Sequence, residues 1–86
     1  MRDSLHRYLL DLFPLTDEVL AGNVVLGDAL QRAGLDALCA AAAGDDPAPH
    51  LARVRVLLCL AGDLGLASPD VVAFLARGLE RLVAAA

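Results

Sequence analysis

Two cysteines, two histidines and a pair of adjacent aspartates are the residues of this chain whose types could do chemistry. Cys39 and Cys59 could act as nucleophiles or metal ligands if their thiols ionised, which needs a nearby cation and access to water. Arg55, four residues before Cys59, is the only cation at helical spacing from either, so both are read as reduced, buried, small hydrophobes. His6 and His50 stand alone. No Cys-x-x-Cys or His-x-x-x-His spacing supports a zinc site. Asp45-Asp46 resembles a cation loop only superficially, because calcium loops need oxygen ligands at several fixed offsets and a closing Glu. It reads as a solvated acidic loop that could touch a partner. Gly62-Asp63-Leu64-Gly65 lacks the Lys and Ser/Thr of a phosphate loop and reads as a helix end. These residues imply no catalytic centre, no metal and no cofactor, and the chain is expected not to be an enzyme.

The remaining chemistry is charge. Residues 1–46 hold three Arg and eight acids, a net −5, and residues 47–86 hold four Arg and three acids, a net +1. In the second half the cations fall in two short pairs, Arg53 with Arg55 and Arg77 with Arg81. Arginine suits protein interfaces because its planar fork pairs bidentately with carboxylates. These four residues are candidates for one contact surface, with Asp45 and Asp46 as candidates for a complementary one. A net charge of −4 speaks against nucleic acid, which needs clustered cations, and no helix has the cationic face of a membrane-surface binder.

The elements that would position these residues are helical. Of 86 residues, 19 are Leu, 17 Ala and 8 Val, while Ile is absent and aromatics number three. Leu and Ala favour helices, and sheets favour the β-branched and aromatic residues that are scarce here. So apolar a chain is not disordered. No stretch approaches the roughly 20 apolar residues of a membrane span, and the N-terminal residues lack a signal-peptide core, so a cytoplasmic location is expected. Usage rich in Ala, Leu, Arg, Gly and Asp, with no Lys, suggests a GC-rich bacterial genome.

Gly and Pro cut the chain into five or six short helices. The first runs from Asp3 or Ser4 to Phe13, stopped by Pro14. A second, Thr16–Gly22, starts on a Thr cap. Val24–Ala33 and Leu35–Ala43 follow, divided by Gly34, and Gly44–Pro49 is a loop. The fifth, from Pro49 to about Leu64, keeps the helical period through Leu51, Val54, Leu57, Leu58 and Ala61 and is expected at the centre. Ser68-Pro69-Asp70 combines a cap, Pro at the first helical position and an acid in the first turn, opening a last helix to about Ala85. The expected fold is all-α: one domain over residues 1–86, a compact bundle of five to six short antiparallel helices.

Six short helices with an acidic and a basic half, over nearly the whole chain, resemble the death-fold interaction domains, and most nearly the CARD-like domains of bacterial immune proteins that act in antiviral defence. That resemblance implies homotypic binding, recruitment or oligomerisation, and no catalysis. The expected function is a protein-interaction or adaptor domain whose partner is another copy, a similar helical domain or an effector. The alternative is a small regulatory subunit, antitoxin-like or enzyme-binding, that uses an apolar groove.

Overall fold

Four helices, not five or six, make up the described residues 2–85 of the computed structural model: α1 (Arg2–Gly22), α2 (Val24–Ala42), α3 (Ala48–Asp63) and α4 (Pro69–Ala85). There is no strand among them. The correction lies in the first half of the chain, where two predicted breaks do not occur.

Pro14 sits inside α1. Its missing N–H would have bonded the carbonyl of Leu10, and Leu10 and Pro14 are both exposed, so water can serve that carbonyl. The buried stripe of Leu5, Tyr8, Leu9, Leu12, Leu15 and Val19 runs unbroken past the proline. Burial of this stripe outweighs the local cost of an interior Pro. Thr16, predicted as a cap, is instead buried in mid-helix, and its hydroxyl donates to the Phe13 carbonyl at 2.7 Å.

Gly34 likewise lies within α2, because it is needed for packing rather than for a turn. A Cβ there would fall 2.9 Å from Cδ2 of Leu9, and one at Gly27 would fall 2.6 Å from the backbone nitrogen of Leu20. The two glycines let α2 press against α1. The reversal between these helices is a single residue, Asn23, whose Oδ1 accepts from the N–H of Leu26 at 3.0 Å and caps α2.

The other two connections follow their sequence signals. After α2, Gly44 takes φ +81°, the Asp45 N–H bonds the Ala40 carbonyl and the Gly44 N–H bonds that of Ala41. Gly65 repeats the device after α3, with φ +72° and a bond from the Leu66 N–H to the Ala61 carbonyl. Both are helix ends that only a left-handed residue closes without strain.

The helices form a ring in the order α1, α2, α3, α4, with α4 closing back onto α1. Neighbours run antiparallel. Gly27 near the start of α2 meets Leu20 near the end of α1, and Gly62 at the end of α3 meets Val72 at the start of α4. Tyr8 near the start of α1 meets Gly78 in the second half of α4. This is the up-down-up-down bundle, 34 Å long, about the length of α1 at 1.5 Å per residue. The helix from Ala48 is one corner of the ring, not its centre; no helix is central. Leu5, Leu12, Leu30, Leu51, Leu58, Leu75 and Leu79 fill the shared interior. Thr16, buried beside this interior, also accepts from Gln31 Nε2 at 2.9 Å, which ties α1 to α2.

Candidate protein-interaction surfaces

The ring places α1 and α2 on one side and α3 and α4 on the other, so the charge split along the chain becomes a split across the molecule. The six candidate residues do not share one surface. Arg53 and Arg55 lie two positions apart on α3, and residues so spaced point to different sides of a helix. Arg53 turns to α2, with Nη1 3.4 Å from Asp36 Oδ2, and Nη1 also lies 3.2 Å from Nδ1 of His50, a turn back on α3 itself. Arg55 turns to α4, with Nη2 3.6 Å from Glu80 Oε1. Both pairs are half exposed, so each adds at most about 1 kcal/mol to stability, and both cations already have a carboxylate. Asp45 and Asp46 sit in the α2–α3 loop at one end of the bundle. Asp46 is partly occupied too: its Oδ1 accepts from the Ala48 N–H at 3.0 Å at the start of α3.

Arg77 and Arg81 differ. They lie one turn apart on α4, both exposed, and no carboxylate among the described residues comes within 4.0 Å of either. Arg81 and Arg7 of α1 line a depression of about 320 Å³ over the α1–α4 seam, with Ser4, Tyr8, Asp11 and Leu82. Its floor is the Tyr8 ring against Gly78, where a Cβ would stand 2.9 Å from that ring and 4.0 Å from Arg81 Nη2. Tyr8 locks this seam from below, its hydroxyl donating to the Leu75 carbonyl at 2.9 Å. Burial, reinforced by the negative charge of Asp11, raises the Tyr8 phenol well above its ordinary range. The participation of Arg7 was not read from the sequence, because only the fold brings residue 7 beside residue 81.

A second surface is apolar. On α2, Val25 (81 % exposed) and Ala29 stand one turn apart; on α3, so do Ala52, Val56 (66 %) and Leu60 (44 %). Ala29, Ala52, Val56 and Leu57, with Arg53 as the one charged residue, line one shallow depression over the α2–α3 seam. Val25 and Leu60 extend it by a turn toward the same end of the antiparallel pair. The charges along this strip are neutralised within the chain: Asp28 with Arg32 at 2.8 Å and Asp36 with Arg53. At that end of the bundle Val24, Leu64 and Val71 are exposed as well. Another largely apolar groove crosses α1 and α2 between Leu10, Phe13, Leu35 and Leu38.

The cysteines are not the buried hydrophobes expected. Cys39 and Cys59 are both free and exposed, because α2 and α3 carry more apolar positions than their core-facing stripes can bury. No three of the His, Cys, Asp and Glu side chains among the described residues are grouped so as to hold a metal ion. No described helix is long and apolar enough to cross a membrane. Comparison with protein-family models, with curated proteins and with solved structures finds no match to this chain.

Proposed function

We propose that this chain is a non-catalytic protein-binding module that acts by docking one face of its bundle on another protein. The observation that carries the reading is the apolar strip over α2 and α3. Val25, Val56 and Leu60 lie open to water on a bundle whose interior is already filled, and contiguous exposed apolar surface of this kind marks interaction sites. The neutralised ion pairs along the strip suit an interface, since charges already paired in the free chain need no new partner when water is excluded. This favours association led by apolar contact, with charge setting encounter and orientation, and so gives weight to a regulatory subunit that binds through a groove as well as to an adaptor.

The test is the double variant V56D/L60D, compared with the wild-type chain in two measurements. One is light scattering across protein concentration and salt; the other is recovery of bound protein from an extract of the source cells. Association that is present in the wild type, holds or strengthens as salt rises, and is lost in the variant with its thermal transition unchanged supports the reading. A wild-type chain that stays monomeric and retains no partner refutes it.

A further inference from the structure

We infer that the groove between α1 and α4 binds an acidic segment of a partner protein, with the guanidinium groups of Arg7 and Arg81 receiving its carboxylates. The inference rests on the reading of the chain as a protein-binding module and assigns a second, charge-reading surface to it.

Three observations carry it. First, the arginines of the chain fall into two classes. Arg32, Arg53 and Arg55 each lie within 4.0 Å of a carboxylate of the same chain, whereas Arg2, Arg7, Arg77 and Arg81 have none among the described residues. Of these four, Arg7 and Arg81, from opposite ends of the sequence, line one depression on the α1–α4 seam. Second, the seam is shaped. Gly78 lets the Tyr8 ring pack close against α4 and form its floor, Leu82 adds an apolar wall, and Arg7 and Arg81 stand on its two rims, one from each helix. A carboxylate entering from solvent meets two planar forks that pair with it bidentately. Third, the floor is held in place. The bond from Tyr8 to the Leu75 carbonyl and the close approach at Gly78 fix the spacing of the two helices, so the rims are set before a ligand arrives and little ordering is needed on binding.

The same charges argue for protein rather than nucleic acid. Asp11 lines the depression beside the arginines. It would repel a continuous phosphate backbone, yet it tolerates a peptide whose acids are spaced and whose other groups can donate to it. Two cations are also too few for the counterion release that drives binding to a duplex.

The experiment uses the uniformly ¹⁵N-labelled chain and three probes at low salt: a synthetic Asp/Glu-rich peptide with one Leu, the same peptide with Lys for its acids, and oligo(dT). The acidic peptide is expected to shift the amide signals of Arg7, Gly78, Arg81 and Leu82. The response should weaken as salt rises and fall about tenfold or more in affinity, at least 1.4 kcal/mol, in R7E/R81E. R32E should bind as the wild type does, since Arg32 lies on α2. Conservative R7K/R81K should recover part of the binding, because Lys keeps the charge and loses the fork. Acidic-peptide shifts confined to Val25, Val56 and Leu60 overturn the groove while leaving the protein-binding reading intact. Preference for oligo(dT), or no response to the acidic peptide at about 1 mM, overturns it as well. The scattering and recovery measurements on V56D/L60D judge the wider reading separately.

Discussion

The seams on opposite sides of the ring solve the same packing problem in inverse ways. Between α2 and α3 the charges are spent inside the chain, Asp28 on Arg32 and Asp36 on Arg53, and apolar side chains are left facing water. Between α1 and α4 the apolar contact is sealed by Gly78 and the Tyr8 bond, and charges are left unpaired above it. One small bundle thus offers an apolar surface with a neutral rim and a charged surface with a closed floor. Binding energy and binding selectivity need not come from the same residues.

The sharpest way to break this contrast is to add carbon to each seam. Gly78→Val should cost about 2–3 kcal/mol, because the Tyr8 ring cannot yield without losing its bond to Leu75. Chemical denaturation would show the midpoint falling with little change in slope. Ala29→Val in the open α2–α3 depression should stay within about 0.5 kcal/mol of the wild type. Equal losses would mean that the seams are equally closed.

Tyr8→Phe comes next, with an expected loss of about 1 kcal/mol for the missing hydrogen bond. It also carries a pH signature. The folded-state phenol titrates above its unfolded value, so the stability it contributes is complete below about pH 10 and is lost as pH rises toward the folded value. Wild-type stability should therefore fall on the alkaline side of pH 10, and this component should vanish in Tyr8→Phe. An identical alkaline slope in both proteins would show that Tyr8 is not the group responsible. The smallest effect is expected at the exposed ion pairs. Arg55→Ala should change stability by about 0.5 kcal/mol or less, and 1 M salt should erase the difference. A larger, salt-resistant loss would mean that the α3–α4 pair is more than a surface contact.

Much of the second half of the fold was legible. Ser68-Pro69-Asp70 and the loop around Gly44 are backbone signals whose meaning is local, and the bundle honours both. Pro14 and Gly34 misled for the opposite reason. They are also backbone signals, but whether a Pro falls on the solvent side or a Gly on a helix crossing depends on the neighbouring helix, which no short window contains. Cys39 and Cys59 failed because helices apolar on most sides do not reveal which side the core takes. The separation of Arg53 from Arg55 could have been anticipated, since two residues of helix turn a side chain through about 200°. The joining of Arg7 to Arg81 could not, because it exists only once the ring closes.

Asn23 has a consequence for how the ring assembles. A hinge one residue long holds almost no loose chain, so bringing α2 back along α1 costs little of the entropy that closing a longer loop would. Val24 begins its helix as soon as Gly22 has ended the previous one, and the two arrive already in register, with Gly27 against Leu20. The N-terminal hairpin is therefore the piece that can form earliest, a template on which the later helices dock. Lengthening the hinge by one residue would turn α2 through about 100° and swing Gly27 away from the one place where the backbone of α1 leaves room for nothing larger.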